Sequence, residues 1–78
     1  MYLKDLSKII YDEGTASENR DIVVKTHSEG KVLWEGKAKD LQSMDNIGGW
    51  LVVEILINES TEKEDIPDYN WGKVITVI

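Results

Sequence analysis

The residues of this 78-residue chain that can do acid–base or metal chemistry are mostly carboxylates, and they concentrate in one stretch. The segment 58–72, NESTEKEDIPDYNWG, holds five acidic residues and one lysine, so it carries −4 of the formal net charge of −6. Paired carboxylates perform general acid–base catalysis when a pocket raises the pKa of one of them. We expect this polar segment to be exposed, and its spacing misses the Asp-x-Asp-x-Asp-Gly pattern of a calcium loop.

Other signatures of enzymes are missing from the sequence. His27 is the only histidine, and no nucleophile or carboxylate stands at a recognisable spacing from it. The pair Gly48-Gly49 in NIGGW lacks the spacing of a phosphate-binding loop and suits a tight turn into a strand. The chain contains no cysteine, which excludes disulfides and thiolate metal sites. We therefore expect no enzyme activity, no cofactor and no metal.

The acidic segment allows two interpretations. It is either a solvated loop that keeps a strand-rich protein soluble, or an ordered surface that recognises a basic partner. The spacing Thr61-x-x-Glu64 favours order, because it can cap a helical turn that Pro67 then ends. In the second interpretation the partner-binding residues are Glu59, Glu62, Glu64, Asp65, Asp68, Tyr69 and Trp71.

Composition limits the compartment and the class of partner. A net charge of −6, with nine Lys and Arg scattered singly, argues against direct binding to nucleic acid or to an anionic membrane. The longest apolar run, 50–57, is too short to span a bilayer. With no signal peptide visible and no cysteine, we expect a cytoplasmic protein.

Hydrophobic periodicity predicts a single α+β domain over residues 1–78, with the acidic insert 58–72 between its last two strands. The elements follow the order α-β-β-α-β-β, and they form a four-stranded, mainly antiparallel sheet with the N-terminal helix on one face and a short second helix. The sequence stretches concerned are YLKDLSKIIYDE, DIVVKTH, KVLWEGK, AKDLQSM, WLVVEILIN and GKVITVI.

Three details of this fold are open to direct checking. Ser28-Glu29-Gly30 is predicted as a three-residue hairpin loop with Gly30 at positive φ. The strand WLVVEILIN is apolar on both faces, so it is predicted to lie at the centre of the sheet. The helix near residues 2–12 is predicted to pack, through Leu3, Leu6, Ile9 and Ile10, on a sheet that contains Leu51, Val53, Ile55 and Ile57.

The motifs YLKDLSKII, GKVLWEGKAKDL, VVEILI and VITVI resemble a loose group of small, mostly uncharacterised proteins. These are carried by phages, prophages and mobile elements of low-GC Gram-positive bacteria. Their shared outline is an opening helix, a hairpin ending GxVLxEGxAxDL and two further strands. The resemblance covers about two thirds of the chain and implies a fold, with no catalytic residues to carry over.

Charge, size and resemblance together favour one functional hypothesis. In this hypothesis the chain is a non-enzymatic acidic module, a phage or mobile-element inhibitor that docks on a basic, nucleic-acid-binding surface of a host protein such as a defence nuclease. The alternative is a structural or regulatory homo-oligomer, for example a homodimer, that pairs through open sheet edges, including that of the C-terminal strand. In that case the acidic loop only solvates the fold.

Overall fold

A computed structural model describes residues 1–78 and contains a four-stranded sheet with short helical elements. The strands are β1 (Asp21–Thr26), β2 (Val32–Lys37), β3 (Val52–Ile57) and β4 (Lys73–Val77), in the spatial order β2-β1-β4-β3. β1 pairs antiparallel with β2 and parallel with β4, and β4 pairs antiparallel with β3. The predicted α+β fold with four strands is confirmed, and the sheet is mixed.

The β1–β2 hairpin closes on a backbone bond from the Thr26 N–H to the Lys31 carbonyl, at 2.9 Å. Inside this pair the Gly30 N–H donates to the Thr26 carbonyl at 3.0 Å. The φ of Gly30 is +66°, so the predicted glycine conformation is confirmed. The loop is longer than predicted because His27 lies in it, beyond the last strand residue.

The N-terminal helix is much shorter than the predicted span of 2–12. Helix α1 comprises only Leu3–Leu6. The Ser7 hydroxyl donates to the Lys4 carbonyl at 2.7 Å, and the Lys8 and Ile9 N–H groups bond to carbonyls three residues back. These tighter bonds continue the chain as turns, which is how serine side chains and 3-10 geometry commonly end an α-helix.

The core lies between one face of the sheet and the layer of helical turns. The sheet contributes buried side chains from β1 and β4, namely Ile22, Val24, Ile75 and Val77. The layer contributes Leu3, Leu6, Ile10, Ala38, Leu41 and Met44. The last three belong to a 3-10 helix, Ala38–Ser43, and the residue that follows it.

The predicted packing of the N-terminal segment on the sheet is confirmed for Leu3, Leu6 and Ile10, which are buried, and the strands beneath them are not β3. That segment packs over β1 and β4, whereas Leu51, Val53, Ile55 and Ile57 are 36–46% exposed and belong to the edge of the sheet. Ile9 is also exposed, at 66%.

The two edges of the sheet are β2 and β3, and the C-terminal strand β4 lies inside it. The prediction of a central β3 was therefore wrong, and so was the suggestion that the C-terminal strand offers a pairing edge. Met1 and Tyr2 cover the first part of the β3 edge. The Val52 N–H donates to the Met1 carbonyl, and the Leu3 N–H donates to the Trp50 carbonyl, both at 2.8 Å.

Candidate protein interface

The acidic segment 58–72 is closed at its base by three hydrogen bonds. The Asn58 N–H donates to the Gly72 carbonyl at 2.8 Å, which extends the β3–β4 ladder by one pair. The Thr61 hydroxyl donates to the Asn58 carbonyl at 2.8 Å and accepts from the Gly72 N–H at 2.7 Å. One hydroxyl therefore joins both ends of the segment, and the segment has a defined conformation.

Gly72 is the residue that allows this closure. It is buried, and a Cβ at this position would lie 2.7 Å from the Asp21 carbonyl oxygen and 2.7 Å from Thr61 Oγ1. Real Cβ contacts are longer, so any other residue would push the segment away from the start of β1.

Two short 3-10 helices shape the rest of the segment. In Glu59–Thr61, the Asn58 side-chain oxygen accepts from the Ser60 N–H at 3.2 Å. Asp68–Asn70 follows Pro67, and the Trp71 indole N–H then donates to the Ile66 carbonyl at 3.1 Å. The predicted helical turn capped by Thr61 is wrong, because the Thr61 hydroxyl is used at the base of the segment.

The structure brings four of the predicted partner-binding residues together. Glu59, Glu62, Glu64 and Trp71 line a shallow depression of about 400 Å³, with Lys63 as its fifth member. Asp65 and Asp68 are exposed but lie outside it. None of the five carboxylates of the segment is ion-paired, since the ion pair of this structure joins Lys37 to Asp21. They present negative charge outwards, available to a partner.

Tyr69 is separated from this group. It is 70% exposed and lines a different cavity, of about 440 Å³, together with Tyr11, Asp12 and Arg20. Trp71 is half-buried and tied to Ile66. The two aromatic side chains therefore do not flank one common ridge of carboxylates.

Two partly buried cations lie near the base of the segment. Burial lowers the pKa of Arg20, and the Asp12 carboxylate opposes that shift. Desolvation lowers the pKa of Lys73, and the charge of Arg20 lowers it further. The Arg20 guanidinium donates to the Ile10 carbonyl at 2.7 Å, while its Nε is buried without a partner. Arg20 thus fixes the turn after α1 to the start of β1.

Sequence reasoning missed the apolar surface beside the carboxylates. A second depression, of about 440 Å³, is lined by Ile55, Leu56, Ile57, Glu59 and Glu62. Glu59 and Glu62 also line the depression of Trp71, so the β3 edge and the acidic segment form one continuous surface. The available signal was Glu54, a charge in the middle of a strand that was predicted to be buried on both faces.

The remaining features do not add a chemical site. No group of three or more histidine or carboxylate side chains converges as a metal site, and no helix has the length and apolar character that crossing a membrane requires. His27 is exposed at the hairpin loop. Comparison of the chain with family models, with curated proteins and with solved structures found no significant match.

Proposed function

We propose that this protein is a non-enzymatic, acidic protein-binding module that docks on a basic surface of another protein. The observation that carries the proposal is the conformation of segment 58–72. Its five carboxylates are held outwards and free of ion pairs, on a base closed by Thr61 and Gly72.

Preorganisation is what makes this arrangement suitable for binding. A segment that is already ordered loses less conformational entropy on association than a mobile loop does. Carboxylates that have no internal partner keep their full field towards solvent, and such fields raise association rates by about 10 to 1,000-fold at low salt. A partner whose surface normally binds phosphates has the complementary charge.

In its most concrete form, the proposal is that of a cytoplasmic phage or mobile-element inhibitor. It occupies the nucleic-acid-binding groove of a host protein such as a defence nuclease. Support for this version comes from the acidic charge, the small size, the lack of cysteine and the resemblance described above.

The second candidate function is a homo-oligomer that pairs through a sheet edge. The observation that favours it is the β3 edge, where Val53, Ile55 and Ile57 are 44–46% exposed. Monomeric proteins usually protect such edges from pairing with another strand.

Capture from a bacterial host lysate tests the proposal when three baits are compared at about 0.05 M and about 0.5 M salt. The wild-type bait should retain a partner at low salt only. The bait E62Q/E64Q/D65N/D68N should lose this partner. The control E13Q/E29Q/D40N/D45N removes the same number of exposed charges elsewhere and should keep it. Equal retention by all three baits would rule out recognition through the segment.

A further inference from the structure

We propose that the open part of the β3 edge, residues 53–57, binds an extended segment of the partner as a fifth strand. The occupant is a partner segment in which basic and apolar residues alternate. This inference rests on the proposed function, because Glu59 and Glu62 belong to both surfaces.

The backbone of this edge has groups free to pair. In an antiparallel ladder the residues that bond to the neighbouring strand alternate with residues whose N–H and C=O point away from it. Asn58 bonds to Gly72, the residue before β4, so Leu56 and Glu54 also face β4. The N–H and C=O groups of Ile55 and Ile57 therefore point away from the sheet.

A segment of the chain itself already pairs with the neighbouring part of this edge. Met1 pairs with Val52 through the 2.8 Å bond described above. The ladder then shifts register between Val52 and Glu54, and no strand of the protein continues the pairing along residues 53–57. The open stretch thus begins at Val53, next to the residue that bonds to Met1.

The two edges of the sheet differ in how they are protected. Both edge strands have a register shift against their neighbour, but β2 also carries two charges, Glu35 and Lys37, which discourage pairing with another strand. β3 carries Glu54 as its one charge, and its apolar side chains are exposed on both faces of the sheet. An exposed apolar edge of this kind marks an interaction site.

Charge decides between the possible occupants. Glu54 lies in the strand and Glu59 and Glu62 lie just beyond it, and no Lys or Arg lines the depression at this edge. A second copy would place its own Glu54, Glu59 and Glu62 at the same edge, with no basic residue in its β3 to compensate. Like charges across an interface oppose pairing, whereas a basic segment complements the three glutamates.

The probe for the test is a blocked peptide, Lys-Val-Lys-Val-Lys-Val-Lys, titrated to about 1 mM into ¹⁵N-labelled protein. The largest amide shifts should occur at residues 53–57, and hydrogen exchange should slow at the N–H groups of Ile55 and Ile57. The peptide Glu-Val-Glu-Val-Glu-Val-Glu should not bind. Two peptides carry an N-methyl group, one on the central valine and one on the lysine beside it; one of the two should bind at least about tenfold more weakly, because alternate N–H groups of a strand face the same neighbour.

Variants of the protein distinguish the contribution of backbone pairing to peptide binding from the contribution of the glutamates. Ile57→Pro removes an N–H that faces away from β4 and should weaken peptide binding at least about tenfold, and more than Ile57→Ala, which truncates the same side chain but keeps the N–H. E54Q/E59Q/E62Q should also weaken binding and reduce its dependence on salt. If Ile57→Pro does not fold, the two N-methylated peptides measure the same backbone contribution.

Each alternative outcome has a distinct meaning. Salt-dependent binding with shifts centred on residues 62–68, and unaffected by Ile57→Pro, would overturn strand addition and leave the proposed function standing. Binding that ignores both salt and the triple variant would overturn the basic occupant and the charge mechanism together. No peptide binding, or a wild-type dimer by light scattering that Ile57→Pro converts to a monomer, would also overturn the inference; the dimer would assign the edge to a second copy.

Discussion

Replacing Thr61 by valine tests whether the acidic segment is held by the hydroxyl at its base. Valine has nearly the shape of threonine, so the change removes the hydroxyl and little else. Two hydrogen bonds are lost, at 2.8 Å to the Asn58 carbonyl and at 2.7 Å from the Gly72 N–H. Gly72 is buried, so its N–H is left without a partner and away from water.

The expected loss of stability follows from these two bonds. Each ordinary hydrogen bond contributes about 1 kcal/mol, and an unsatisfied buried donor costs about 1–3 kcal/mol. Together these give about 2–3 kcal/mol. A domain of this size has a total stability of about 4–12 kcal/mol. At about 4–8 °C for each kcal/mol, Tm should fall by roughly 10–20 °C.

Thermal unfolding followed by circular dichroism, together with urea unfolding, measures this loss. Thr61→Ser is the matched control: it keeps the hydroxyl, loses one methyl group and should cost about 1 kcal/mol or less. If Thr61→Val and Thr61→Ser have the same Tm, the hydroxyl does not hold the segment. The ordered acidic surface would then lose its structural basis.

Three further changes test the core, the hairpin and the interface. Leu6→Ala should cost about 2–4 kcal/mol in urea unfolding, because Leu6 is buried, whereas Ile9→Ala should cost under about 1 kcal/mol because Ile9 is exposed; equal costs would refute the packing. Gly30→Val should cost over about 1 kcal/mol, because valine resists positive φ, and Gly49→Val, at a position of ordinary φ with open space for a side chain, should cost less. Trp71→Ala should raise the dissociation rate of a captured partner about 30-fold, measured by surface plasmon resonance, and an unchanged rate would remove Trp71 from the interface.

The parts of the fold that depend on local chemistry were predictable from the sequence. Gly30 takes the positive φ that the hairpin requires, and Leu3 and Leu6 are buried as their spacing indicates. The length of α1 was not predictable in this way. Its apolar period continues to Ile10, but a series of tight turns satisfies the same spacing once the Ser7 side chain bonds to the backbone.

The order of strands in the sheet is a non-local property, which explains the error on β3. A strand that is apolar on both faces is typical of the centre of a sheet, yet β4 takes that place between β1 and β3. The apolar pattern shows that a strand needs cover, and it does not show whether the same chain supplies it. The site was predictable only in part, for a similar reason. The negative charge of segment 58–72 is visible in the sequence. The separation of Tyr69 from Trp71 depends on the folded segment, in which the Trp71 indole N–H bonds to the Ile66 carbonyl.

The pairing of the N-terminal residues with β3 has a practical consequence for how the protein is prepared. Tyr2 lies opposite Leu51 in an antiparallel bridge, and Met1 bonds to Val52. An affinity tag placed before Met1 would therefore run in the direction of Val53 and onwards along the open edge. A histidine-rich or lysine-rich tag has the composition to occupy that edge and compete with a partner in cis at high effective concentration. Binding studies should use a tag after Ile78, or remove an N-terminal tag before measurement.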